Sequence, residues 1–198
     1  MLQIGTSREF TDWIRVGREE AFQSYQLDYK MNENYIVPFM IRHPEILSVT
    51  LKSKQGNEFH HTATYGLEKD YTLDDDWLQD VTSYNQIYVH VQFSDDYLDS
   101  RGQRLSMPVM TWVKSFGIFN SGYVKIDVSL QPSQQILSEM ELGKQVTGMI
   151  ADSSGKILVH TDETMILQQL DPSIVIGMAK SSSGAFLRKD TNEMVVYE

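Results

Sequence analysis

A chain of 198 residues can bury one large core or two small ones, and its 41% hydrophobic and 11% aromatic content excludes disorder. Its 17 Lys and Arg face 27 Asp and Glu, a formal charge of −10 that would repel a phosphate backbone, so nucleic acid is not an expected partner. Cysteine is absent, which excludes disulfides, thiolate catalysis and thiolate-held metals together and leans towards an extracytoplasmic setting.

No apolar run reaches the roughly 18 residues that span a bilayer, and no charged-then-apolar leader opens the chain. Met1 stands just ahead of an abrupt helix, and Glu198 closes the apolar run Met194 to Tyr197 without a cap. Both ends read as cuts, with membrane spans expected in the missing flanks.

From Ser7 to Tyr35 the pattern predicts one long helix, with Ser7 as N-cap and Glu9 in the first turn, where negative charge meets the positive end of the dipole. Phe10, Trp13, Ile14, Gly17, Ala21, Tyr25, Asp28, Met31 and Tyr35 form its docking stripe. At about 1.5 Å per residue it would run for roughly 40 Å, longer than the following domain needs. Pro38 and then His43-Pro44 are expected to end it.

Ile46 to Thr64 reads as a hairpin around Gly56, and Val146 to Thr161 as a second around Gly155. An offset of 99 residues lays Ser53-Lys54-Gln55-Gly56 on Asp152-Ser153-Ser154-Gly155 and His61-Thr62 on His160-Thr161, which predicts one unit used twice. Between the copies the chain predicts a loop from Tyr65 to Asp76, a short helix Asp75 to Val81 carrying Trp77, and a strand Ile87 to Phe93 of clean alternation. A polar connection Ser94 to Gly102 follows, then strands Arg104 to Phe116 and Ile118 to Leu130. In the last of these, Val124, Ile126 and Val128 face one way and Tyr123, Lys125, Asp127 and Ser129 the other. Pro132 opens a helix to about Leu142, and Gly143 stops it. After the second hairpin come a helix Asp171 to Lys180, a segment Gly184 to Arg188, a polar turn, and a closing strand Glu193 to Tyr197. The fold class is α+β: a long N-terminal helix over 1–36, then two antiparallel-sheet domains in series, 37–143 and 144–198, the second incomplete.

This order of elements resembles the double Cache module, the paired PAS-like extracytoplasmic sensor of bacterial receptor histidine kinases and chemoreceptors. The likeness lies in the long first helix, both hairpins, Pro108-Val109-Met110-Thr111-Trp112 leading to Gly122 through Leu130, and the connector to Gly148 through Ile157. It implies a first helix rising from a transmembrane segment, a distal domain (37–143) holding a small ligand, and a proximal domain (144–198) passing a displacement to a second membrane helix. It also implies a module of the cell membrane, facing outwards and joined to the bilayer by segments absent from this chain, as a homodimer in the full receptor. The nearest likeness is to sensor histidine kinases of two-component systems. Amino-acid-binding members carry an Arg ahead of a Trp-aromatic pair and an Asp in the last distal strand. Trp77 and Asp127 match, but Asp74, Asp75 and Asp76 precede Trp77 and Leu78 follows it, so the carboxylate of an amino acid has no bidentate partner here.

A ligand site needs an apolar floor with a few convergent polar groups. Tyr88, His90 and Gln92 with Tyr123, Lys125 and Asp127 are the candidates, with Trp77 and Trp112 as flat walls and Arg104 nearby. The competing reading is a solvated sheet face, or Lys125 and Asp127 paired with neighbours. His60 and His61 point to opposite faces of a strand and cannot chelate one ion as a pair. Asp74-Asp75-Asp76 and Asp95-Asp96 lack calcium-loop spacing. With no nucleophile elbow, phosphate loop or carboxylate pair at motif spacing, no enzyme activity, metal or cofactor is expected. The alternatives are a ligand-free module that dimerises or binds a partner protein and, third, a soluble α+β enzyme.

Overall fold

Strands that alternate Val or Ile with polar residues must pair to satisfy their backbone, and one face then becomes apolar and the other polar. The structure, a computed structural model, describes residues 7–17, 20–62, 66–71, 87–116, 121–140 and 146–198. It is α+β and forms two compact units, Met1–Gln131 and Pro132–Glu198.

In the first unit, β1 (Ile46–Ser53), β2 (Glu58–Thr62), β3 (Glu68–Lys69), β4 (Ile87–Leu98), β5 (Arg104–Phe116) and β6 (Gly122–Ser129) make a six-stranded antiparallel sheet of order β2-β1-β6-β5-β4-β3. Val49, Leu51, Val124, Ile126 and Val128 line one side and pack on the helices. Ser48, Thr50, Thr111, Lys125 and Asp127 alternate with them and line the other.

The helical layer differs from the single rod expected over Ser7–Tyr35. It consists of α1 (Arg8–Arg15) and, after a break at Val16, a continuous run of α2 (Ala21–Met31), a π turn (Asn32–Ile36) and α3 (Val37–Arg42). Val16 is extended, at φ −65° and ψ 126°. The cause is tertiary. Asn57, in the turn after β1, donates its side-chain amide to the carbonyls of Trp13 at 2.9 Å and Val16 at 2.6 Å, capping α1 where another helical turn would otherwise have bonded them. Gly17, a poor helix former, opposes the break least. α1 folds back antiparallel on the second run: Trp13 Nε1 donates to Asp28 Oδ1 at 2.7 Å, and the Tyr35 hydroxyl donates to Glu9 Oε2 at 2.9 Å. Phe10 meets Tyr35 and Phe116 edge to face, and Phe10 and Trp13 are fully buried, a burial worth about 2 kcal/mol or more for each. Nor does Pro38 end the helix. The Val37 N–H reaches the Asn32 carbonyl, five residues back, and the widened turn accommodates the proline ring one residue later.

β4 also outruns its expected end at Phe93. It continues to Leu98 through an irregularity between Ser94 and Tyr97, and the remaining turn is closed by Asp99 Oδ1 accepting from the N–H of Arg101 and Gln103. β3 lies inside the expected loop. The expected short helix Asp75 to Val81, with Trp77, falls outside the described residues.

The second unit holds α4 from Pro132 onward (Gln131–Glu139), the hairpin β7 (Met149–Ala151) and β8 (Ile157–His160), α5 (Pro172–Met178), and the hairpin β9 (Gly184–Arg188) and β10 (Glu193–Tyr197). Leu137, Ile157, Val159, Ile166 and Leu170 are its buried apolar residues among those described. Asp171 caps α5 through the Ser173 N–H, ahead of Pro172.

The two hairpin turns are built alike. Ser53 N–H bonds the Asn57 carbonyl and Gly56 N–H the Ser53 carbonyl; 99 residues on, Asp152 N–H bonds the Lys156 carbonyl and Gly155 N–H the Asp152 carbonyl. Even the side chains correspond, since Ser53 Oγ accepts from Asn57 N–H and Asp152 Oδ1 from Lys156 N–H, both at 3.0 Å. Gly56 and Gly155 sit at φ +89° and +84°, where a side chain is strained, and a Cβ on Gly155 would lie 2.6 Å from Val175.

Candidate functional site

Register across the sheet decides which side chains meet. On the face away from the helices, Ser48 on β1 is the partner of Asp127 on β6, Thr111 on β5 is its partner on the other flank, and His90 on β4 is the partner of Thr111. One step along, Thr50, Lys125, Val113 and Tyr88 form the next row.

Asp127 is the centre of this face, with 2% exposure. Its Oδ2 accepts from Lys69 Nζ at 2.6 Å, the Tyr97 hydroxyl at 2.8 Å and Ser48 Oγ at 3.2 Å; its Oδ1 accepts from Thr111 Oγ1 at 2.8 Å. Ser48 Oγ also stands 2.9 Å from the Tyr97 hydroxyl oxygen, so its single proton is shared between that oxygen and Asp127. Burial alone would push the Asp127 carboxyl up, but the Lys69 and Lys125 ammonium groups and the hydrogen bonds outweigh it and hold the carboxyl below its usual value. Lys125 is held down to about 8, chiefly by burial, against the attraction of Asp127 and with the Lys69 ammonium adding repulsion. Burial and the Asp127 charge push the Tyr97 phenol far up, so it stays a neutral donor.

Of the residues expected from sequence, Tyr88, His90, Tyr123 and Asp127 share this face. Tyr88 and Tyr123 pack against Val113, while His90 is exposed and bonds Gln92 at 3.2 Å. Trp112 does not share it: its partners are Val89 and Ile126, on the opposite face, because side chains alternate along β5. Arg104 stands at the far end of β5, pairing with Asp70 at 3.0 Å and with the Asp95 carbonyl. Trp77 lies outside the described residues.

Four members of the centre escaped the sequence reading. Ser48 and Thr111 carry a legible signal, being the polar alternates of apolar strands. Tyr97 is odd-numbered where Tyr88, His90 and Gln92 are even. The irregularity between Ser94 and Tyr97 adds the one residue that turns it to the same face. Lys69 sits in a two-residue strand without a pattern, placed by pairing with Tyr97.

In the second unit His160 is buried, and its Nδ1 accepts from the Asp162 N–H at 2.9 Å. Gln134 pairs its amide with the backbone N–H and carbonyl of His160, in the manner of a neighbouring strand. Both contacts are structural. Among the described residues no group of three His, Asp or Glu is placed to hold a metal.

The six-stranded sheet with its helical layer is the fold of the extracellular sensor domains of chemoreceptors and histidine kinases, the Cache type that the sequence resembles. The sensory domain of the Campylobacter jejuni chemoreceptor Tlp3, solved with isoleucine bound, matches with a TM-score of 0.54 at 16% identity, over 98% of this chain and 76% of its own. The ligand-binding domain of the Pseudomonas aeruginosa amino-acid chemoreceptor PctC, in complex with GABA, gives 0.55 at 16% identity, over 87% and 72%. The extracellular domain of vpHK1S-Z8, described as a histidine kinase, gives 0.58 at 10% identity, over 94% and 74%. No protein-family model and no curated protein sequence matches the chain.

Proposed function

We propose that the chain is the small-molecule-sensing module of a transmembrane signalling receptor, with the ligand held over the β1-β6-β5-β4 face of the first unit. The observation that carries this is the fold match joined to a sheet face on which the buried polar centre at Asp127 is followed, along the strands, by the cluster of Tyr88, Tyr123 and Val113. It is read as two Cache-type domains in series, the second begun by the repeated hairpin, facing outwards and joined to the membrane by flanking segments. Signalling is a shift in the population of helix arrangements, and a ligand drives it only as far as it binds one arrangement more tightly. The expected single rod is absent, so the moving part is α1 closed on α2 and α3 rather than a rigid lever. The module itself is read as non-enzymatic, with catalysis, if the receptor is a histidine kinase, residing in another part of it.

The test is to extract the purified protein, search by mass spectrometry for a retained small molecule, and screen metabolites by thermal shift. A saturable stabilisation that Tyr123→Ala or Trp77→Ala abolishes is the expected result. Full-strength binding in both variants would remove the ligand from this face. A second reading, homodimerisation with no ligand, is favoured by the exposed aromatic stripe Phe22, Tyr25 and Tyr29 on α2.

A further inference from the structure

The Asp127 carboxylate is already bound, and by its own chain. Lys69, Tyr97 and Thr111 each donate a hydrogen bond to this ionised carboxylate, and Ser48 shares its single proton between Oδ2 and the Tyr97 oxygen. The Lys69 side chain has 0% exposure, and its Nζ stands 5.5 Å from the centroids of both the Tyr71 and Tyr97 rings. A carboxylate joined by two aromatic rings and a hydroxyl is the environment that receives an alkylammonium ligand. Here the alkylammonium is a lysine side chain.

We propose that Lys69 is the resident ammonium of this site and thereby sets its specificity: the molecule sensed is one with no ammonium group seated on Asp127. This rests on the sensing reading above. Isoleucine and GABA, bound by the Tlp3 and PctC domains, each carry an ammonium that Lys69 would have to yield to. Displacing Lys69 would leave a buried ammonium to find another partner, a cost that a free amine at millimolar concentration does not offset.

The test is chemical rescue. Lys69→Ala empties the seat, so propylammonium chloride should raise the melting temperature of the variant saturably. It should bind at least tenfold more tightly than to the wild type, and the effect should vanish in the Lys69→Ala/Asp127→Asn double variant. If Lys69→Ala shows no folding transition, it is refolded in propylammonium chloride and, as control, in sodium chloride: a transition that appears only with the amine is the expected rescue, and none with either salt overturns the proposal. A folded variant blind to propylammonium overturns the proposal. So does wild-type protein that binds propylammonium as tightly as the variant, or a retained molecule that holds a primary amine against Asp127. The sensing reading fails separately, if no metabolite binds the wild type, because the amine titration needs no natural ligand.

Discussion

Lys125 shows how one buried charge leaves a signature in stability. Its folded value is about 8 against 10.5 for a free lysine, a difference worth roughly 3 kcal/mol. Between those values the unfolded chain keeps a proton that the folded chain has released, so stability rises with pH across that window. Burial pushes Tyr71 and Tyr97 up, so above about pH 10 the unfolded chain loses phenolic protons that the folded chain keeps, and stability turns down. Urea unfolding should therefore show a gain of about 1–2 kcal/mol between pH 8 and 9.5 in the wild type, and Lys125→Met should flatten it. An unchanged slope in the variant would mean that Lys125 is not the group titrating. Asp127 acts in the opposite sense: its carboxyl is held low, so the stability it contributes is present above the unfolded value and is lost as pH falls through the folded one.

At the scale of elements, the opening helix was the place where pattern misled. Of the expected stripe, Phe10, Trp13, Ile14, Met31 and Tyr35 do pack inward, whereas Ala21 and Tyr25 are exposed, because the same spacing fits one helix or two folded together. Asn57 decides between them. Asn57→Ala would strip the cap from α1 and leave the carbonyls of Trp13 and Val16 short of a partner, a loss of about 1–2 kcal/mol. Hydrogen exchange should then speed up over Arg8 to Val16 while β5 and β6 keep their protection. Equal loosening across the sheet would show that α1 and the sheet open as one unit. The hairpins were legible for the opposite reason. Gly56 and Gly155 hold positive φ and their turns close over four residues, so the information is local. The limits of β4 were not legible, because an inserted residue that keeps Tyr97 inside looks like the start of a polar loop.

For the whole molecule, the open question is what meets the surface of α2. Phe22, Tyr25 and Tyr29 recur at spacings of three and four and are 73%, 68% and 61% exposed, an apolar stripe along one side of the helix. If two copies associate there, sedimentation should show a dimer that Tyr25→Ser/Tyr29→Ser dissociates without lowering the melting temperature. A wild-type monomer at the highest soluble concentration would count against that association.

By itself the sequence determined the α+β class, both hairpin turns, the caps at Ser7 and Asp171, and the alternation that puts Tyr88 on one side of its strand with His90 and Tyr123 on one side of its own with Asp127. Each depends on residues within a few positions of one another. Only the tertiary structure decided that α1 breaks and folds back, that Trp112 faces away, and that Lys69 and Tyr97 close on Asp127. Lys69 and Asp127 lie 58 residues apart, and a salt bridge over that distance depends on strand register, which no local pattern encodes.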